Sequence, residues 1–400
     1  MAGPLTGVRV VELGMFVAGP ATSCVLGDWG ADVVKVENPA GGDPARALSA
    51  LGLSDKDINF GIENFNRGKR SLALDVQKPA GRAALLRVLR DADVFVSNWR
   101  PDALERARLD YASLSAELPR LVYAQVNGYG PRGPMRDTAA FDFAAYWART
   151  GAQASLGEPN EPPPVQRPAM GDAQVGLGLA GAISAALFQR ERSGRGEHVH
   201  ISLYQAGMWM MSFDLSAALI HGGGYRRQGR QVPNPLWNSY RSQDGRWFEL
   251  VMLQADRYWA QFLRAIEKTE WQDDSRWCSI GPRSKNAPSL IAELEAHFAT
   301  RSLDAWRTAF DKEQLIWAPI QSIAESAADP LAREVGVIAS VPHRSGRNIE
   351  IVRSPVEFAR APHEVRSAAP ELGEHTEEVL LERGFTWEEI GALREQGVFG

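Results

Sequence analysis

The sequence predicts an α/β protein: a parallel sheet covered by helices, joined to a smaller unit of different pattern. Two observations carry this. Short β-rich runs alternate with helical segments through the first third of the chain, as a parallel sheet requires. The chain has 400 residues, and a single core stops growing at roughly 250–300, so two lobes are expected.

Residues 8–13 (VRVVEL) and 32–37 (DVVKVE) read as strands. Between them GPATSCVLGDWGA reads as a helix, with Pro20 suited to its first turn. The basic residues Arg67, Lys69 and Arg70 precede an extended run, SLALDV. A helix is expected around 78–90, a strand at 93–97, helical segments over 102–117 and a strand at 121–126. Residues 127–171 are rich in Gly, Pro and polar side chains, with one helix expected near 141–150. Irregular stretches of this length are often functional. The stretch ends at Gly171-Asp172, and a long apolar helix is predicted over 173–191. SGRGEHVHISL then gives a turn and strand, and another apolar helix covers 204–220, where Met208, Trp209, Met210 and Met211 are expected to pack into a core.

Composition shifts near 221–235, so 1–205 is assigned to the large domain, 206–235 to a linker helix and loop, 236–330 to a small domain and 331–400 to a return to the large one. The small domain opens on a strand pair, SYRSQDGRWFELVM, with Gln-Asp-Gly at the turn. Helices are expected over 255–266, 287–299 and 302–311. In the last part VGVIASV and IEIV are strand-like and two short helices close the chain. Thr376 is the expected N-cap of the first, with His375 helping, and Thr386 with Glu389 forms a capping box for the second.

The net charge of −5 argues against broad nucleic-acid binding, which needs a basic face. The two cysteines, Cys24 and Cys278, lie in no metal-ligand spacing, which argues against a disulfide framework or zinc site and fits a reducing, cytoplasmic compartment. The apolar run from Val8 to Leu26 carries Arg9 and Glu12 and is broken by Gly14, Gly19 and Pro20, so no signal sequence or membrane span is expected there.

Asp172 is the leading chemical candidate. At a helix start it reads first as an N-cap. The same position keeps a carboxylate ionised, and Gly176, Gly178 and Gly181 would let a ligand approach the backbone, so it could also act as a nucleophile. The cluster Arg67, Lys69, Arg70 reads either as a solvated turn or as a phosphate site completed by Asn98, Arg100 and Arg106 from the next strand end. Gly27-Asp-Trp-Gly30 follows the first helix instead of preceding it, so it is no dinucleotide fingerprint.

PLTGVRVVEL, GADVVKVENPAGGDPAR, NRGKRSLALD, DVFVSNWRPDALER, PRLVYAQVNGYGPRGP, the Gly171-Asp172 helix, SGRGEHVHISL and LGEHTEEVL occur in that order. Together they resemble the family III CoA-transferases, which include formyl-CoA and carnitine-CoA transferases and α-methylacyl-CoA racemases. The resemblance implies a Rossmann-like large domain built from both chain ends, a small inserted α+β domain and an interlocked homodimer. Its site would lie where domains and subunits meet. It implies acyl-CoA and carboxylic acid substrates, coenzyme A as substrate, and no tightly bound cofactor or metal.

In that family pattern Asp172 matches the nucleophile, which forms an acyl anhydride and then an aspartyl-CoA thioester. Val17 and Ala18 match the backbone beside the CoA thiol, and Asn66 and Lys69 the stretch facing the nucleotide. Asn98 and Trp99 match the next CoA-contacting strand end, and Asp142 an acidic position beside the nucleophile; Arg106, from the phosphate-site reading, is counted with the CoA-binding residues. Asn38 and Ala139 depart from the pattern, which often has an arginine at the first position and, in formyl-CoA transferase, a lysine at the second. The alternative reaction, racemisation at Cα, needs two acid/base groups on opposite faces of the carbon. The racemases' histidine position is occupied here by Phe141, and no histidine precedes residue 198.

Overall fold

The computed structural model describes residues 3–51, 58–158, 161–223, 229–361 and 365–399. The chain divides into two units: Met1–Gly224 with Arg333–Gly400, and Tyr225–Ala332.

The first unit holds a six-stranded parallel sheet in the order β3-β2-β1-β4-β5-β6. Its strands are β1 (Arg9–Leu13), β2 (Asp32–Glu37), β3 (Arg70–Ala73), β4 (Val94–Ser97), β5 (Val122–Asn127) and β6 (His198–Ser202). The helices between them are α1 (Ala18–Asp28), α2 (Phe60–Asn66), α3 (Pro79–Leu89), α4 (Pro101–Ala107), α5 (Tyr111–Glu117), α6 (Ala152–Leu156) and α7 (Met170–Ser193). Two helices, α8 (Leu203–Met210) and α9 (Ser212–His221), follow β6.

Alternation along the strands sends side chains to two apolar layers. Val11, Val34 and Phe95 join Leu85, Val88 and Leu104, and the closing helices add Leu380 and Ile390 to this layer. Val10, Val33 and Val94 join Leu26, Val175, Leu179 and Ile183 of α1 and α7 in the other. Burial on both faces explains why the strands read as near-continuous apolar runs. It also explains α7, which is long and apolar enough to cross a membrane but packs its Val175, Leu179, Ile183 and Leu187 face into the core.

Several expectations need correction. Residues 206–221 are not a linker: α8 and α9 belong to the large unit. On α8, Gly207 lies so close to the turn at 143–148 that a Cβ would fall 2.7 Å from Tyr146 O. The patch on these helices is not core, since Trp209 is 76% and Met210 55% exposed. Thr376 is the first helical residue, not the N-cap. Its Oγ1 accepts from Ala73 N–H and donates to Gly373 O, tying the helix to β3. His375 Nδ1 faces Ser71 N–H instead of capping.

The second unit has a three-stranded antiparallel sheet of β7 (Trp237–Arg241), β8 (Trp247–Val251) and β9 (Trp317–Pro319). Helices α10 (Ala255–Ala265), α11 (Ile280–Lys285), α12 (Ala287–Phe298) and α13 (Leu303–Lys312) surround an aromatic core of Trp259, Phe262, Phe298, Trp306 and Phe310. Short helices α14 (Ile323–Ala328) and α15 (Pro330–Glu334) precede an antiparallel hairpin of β10 (Ile338–Pro342) and β11 (Asn348–Val352). The chain closes on α16 (Thr376–Glu382) and α17 (Trp387–Glu395), the latter with the expected Thr386–Glu389 capping box.

Candidate active site

A cavity of about 430 Å³ opens in the large unit where β1, β4 and β5 end. These are the carboxyl ends of neighbouring parallel strands at the point where strand order reverses, the usual ligand position in such sheets. Its wall includes Val17, Ala18, Asn98, Trp99, Ala139 and Asp172.

α7 begins earlier than its sequence pattern suggests. Ala169 occupies the N-cap position in the left-handed region (φ 67°), and Asp172 is the third helical residue, not the cap. No hydrogen bond or ion pair joins its side chain to another described residue, so the capping reading does not hold. Gly171 permits the tight start, because a Cβ there would sit 2.5 Å from Tyr146 Cγ. The Tyr146 hydroxyl donates to Gln174 Oε1 at 2.5 Å, which fixes the ring against the first turn. Gly176 serves helix packing instead of ligand approach: a Cβ there would lie 2.7 Å from Ala21 Cβ on α1.

The Asp172 carboxyl is half-buried, and burial raises its pKa to about 7. The nearby Asp142 charge adds to the rise. Asp142 is itself buried and pushed up by desolvation, against the pull of the Phe143, Gly171 and Ala169 amides. Its Oδ2 has no hydrogen-bond partner. Among the described residues no cation pairs with either carboxyl, and burial favours the neutral acid at Asp172 until about pH 7.

Asn98, in the cavity wall, also anchors a loop. Its Oδ1 accepts from Met15 N–H at 2.9 Å and its Nδ2 donates to Met15 O at 2.7 Å, fixing the loop that carries Val17 and Ala18 into α1. The structure does not bring Asn66, Lys69 or Arg106 into this cavity. Lys69 is fully buried, with Nζ donating to Glu12 Oε2 at 2.6 Å, Pro20 O at 2.9 Å and Asn66 Oδ1 at 3.0 Å. Arg106 is exposed and pairs with Asp102 at 2.7 Å.

The basic cluster is therefore neither a solvated turn nor a phosphate site. Arg67 pairs with Asp28 at 2.7 Å, and Arg70 with Asp32, Glu378 and Glu382. At the centre lies Glu12, paired to both Lys35 (2.8 Å) and Lys69. Burial alone would raise the Glu12 carboxyl, but the two ammonium groups hold it at about 2. Lys35 reaches on to Asp43 Oδ2 at 2.9 Å and Gly14 O at 3.0 Å.

Sequence reasoning passed over several residues that line the cavity, among them Phe16, Gln77 and Leu203. Phe16 carries a left-handed backbone (φ 58°), which nothing in its local sequence signals. Phe141, read only as unable to move a proton, stands in the same wall.

Sheet order, helices on both faces and a carboxylate-bearing cavity at the switch point define a Rossmann-like α/β enzyme. The model of CoA-transferase family III matches residues 5–376. The chain is 32% identical over 98% of its length to an (R)-2-hydroxy-4-methylpentanoate CoA-transferase of Clostridioides difficile, covering 99% of that protein. It is also 32% identical, over 98% of its length and 96% of the relative, to a cinnamoyl-CoA:phenyllactate CoA-transferase of Clostridium sporogenes. A crystal structure of a CaiB/BaiF family protein from Brucella suis superposes with a TM-score of 0.84 at 29% identity, covering 96% of this chain and all of that one. The chain belongs to CoA-transferase family III and is a CoA-transferase acting on CoA thioesters.

Proposed function

We propose that this enzyme moves CoA from an acyl-CoA to a carboxylic acid with Asp172 as the covalent carrier. The Asp172 carboxylate attacks the donor thioester carbonyl and expels CoA thiolate, leaving an acyl–aspartyl anhydride. The thiolate attacks the aspartyl carbonyl, giving an aspartyl-CoA thioester and releasing the donor acid. The acceptor carboxylate then attacks that thioester, and CoA thiolate returns to the acceptor acyl group as Asp172 is freed. Anhydride and thioester both conserve the activation of the original bond, so no other energy source is required. Val17, Ala18, Asn98 and Trp99 would line the thiol end of bound CoA. Asn66, Lys69 and Arg106 are given no CoA contact in this reading, since the first two are buried and bonded to each other, with Lys69 also paired to Glu12, and the third is exposed on α4 beside Asp102.

The observation that carries this reading is Asp172 itself: an unpaired, half-buried carboxyl facing a cavity, with no capping or ion-pair duty. The test is Asp172→Ala, which should abolish transfer and keep the fold. Undiminished turnover would remove the mechanism.

A racemase-like proton transfer at Cα is the second reading, favoured by a carboxyl pKa near 7. It lacks an opposing base, because no histidine, lysine or glutamate is among the described residues lining the cavity. Solvent deuterium appearing at Cα without an acceptor acid would favour it.

A homodimer and a cytoplasmic location belong to the same proposal. Phe188, Trp209, Met210, Phe213, Leu219 and Ile220 expose a broad apolar face over α7–α9, which suits a subunit contact. Cys24 and Cys278 are free, as in a reducing compartment.

A further inference from the structure

The cavity lining is mostly apolar. Arg100 is the one cation among its described lining residues, and it sits beside Trp99 at the start of α4. The lining that holds Asp172 also includes the apolar Phe16, Phe141, Ala140 and Leu203. Phe141 directly precedes Asp142, the carboxylate whose charge acts on Asp172, and both Phe141 and Asp172 line the cavity.

Phe16 and Phe141 meet edge to face, with centroids 5.3 Å apart and planes at 82°. Phe141 lines the cavity and remains 58% exposed, so it is not part of the core. Phe16 reaches its partner only through a left-handed backbone that bulky residues avoid (φ 58°). Such a conformation persists where the surroundings over-determine it. Here Asp43 Oδ1 accepts from Phe16 N–H at 2.9 Å, and Asp43 Oδ2 is held by Lys35 at 2.9 Å. Lys35 also grips Gly14 O at 3.0 Å, and Asn98 clamps Met15 between them. Asp43 comes from the loop after β2, in the stretch AGGDPAR that no other role absorbs.

We propose that Phe16 and Phe141 determine acyl specificity, selecting acids with branched or aryl apolar side chains over short or dicarboxylic ones, and that Asp43 positions Phe16 for this task. The proposal rests on the reading of the cavity as the transfer site. A thioester whose carbonyl meets Asp172 extends its CoA arm to one side and its acyl chain to the other. If the arm runs toward Trp99 and Arg100, the acyl chain meets the two rings. A second carboxylate on that chain would lose its hydration with no cation nearby to replace it.

The test measures hydroxylamine-dependent CoA release from four donors: 4-methylpentanoyl-CoA, 3-phenylpropanoyl-CoA, acetyl-CoA and succinyl-CoA. Hydroxylamine attacks the acyl carbonyl of the anhydride, forming the acyl hydroxamate and freeing the Asp172 carboxylate, so turnover needs no acceptor acid. The wild type should favour the first two in kcat/KM. In Phe141→Ala and Phe16→Ala that preference should fall roughly tenfold or more, with acetyl-CoA changed by less than about threefold. Asp43→Ala should lose the preference in the same way, while Asp43→Asn, which keeps an oxygen for Phe16 N–H, should retain most of it. A lost fold alone would lower all donors together and leave their ratio unchanged.

An equal fall for all four donors, or an unchanged ratio in Phe141→Ala, overturns the proposal. Since Phe141 is mostly exposed, that variant should fold even if the Asp43 variants do not. Failure of the transfer reading looks different: CoA release would then survive in Asp172→Ala.

Discussion

The pH dependence of the acylation step separates a nucleophilic Asp172 from a structural one. Burial and the Asp142 charge set its pKa at about 7. Only the carboxylate attacks a thioester, so the step should gain rate as the proton leaves. With that midpoint, about one-tenth of the enzyme is ionised at pH 6 and about nine-tenths at pH 8, a rise of roughly tenfold. The assay is kcat/KM for hydroxylamine-dependent CoA release between about pH 5.5 and 8.5, which reports groups of the free enzyme. Asp142→Asn removes the neighbouring like charge and should move the midpoint down, raising activity at pH 6 relative to the plateau. A flat profile, a fall with rising pH, or an upward move of the midpoint in Asp142→Asn would refute the assignment.

Three further outcomes follow from the same packing and charges. Asp172→Asn should stabilise the fold at pH 8, because the raised pKa means that the ionised native form carries the penalty. That penalty, up to about 2–4 kcal/mol, is full above about pH 7 and fades toward pH 4, so the thermal-melting gap between variant and wild type should close on acidification. Gly171→Ala should destabilise by about 1–3 kcal/mol and cut activity, since its Cβ meets the Tyr146 ring. Equal melting and turnover would show that the start of α7 is not tightly placed. Glu12→Gln should cost about 3–5 kcal/mol by stripping Lys35 and Lys69 of their shared counter-charge. Because the wild-type carboxyl is held at about 2, its contribution is lost only as pH falls below about 4.5, and the variant should lack that acid-sensitive component on denaturant titration.

Strands were legible where burial on both faces leaves apolar runs, as in VRVVEL and DVVKVE. The capping box at Thr386 was legible because its hydrogen bonds span only three residues. What escaped depends on distant partners. Lys69 looked like a surface cation, and only folding brings Glu12 to it across 57 positions. Trp209 looked like core because an apolar helical stretch reads the same whether its cover lies in the same chain or outside it. The start of α7 was misplaced because Ala169 caps it with a left-handed backbone, a conformation that alanine rarely signals. Asp172 itself was found through its ordered surrounding motifs. Its half-buried, unpaired environment needed Tyr146, Asp142 and α1 in place.

The most direct measurement is peptide mapping by mass spectrometry after incubation with acyl-CoA and hydroxylamine. A hydroxamate on the peptide carrying Asp172, present only when both reagents are added, is the expected result. An unmodified Asp172 peptide, together with no acyl hydroxamate in solution, from enzyme that is still releasing CoA under those conditions would contradict a covalent carrier at this position.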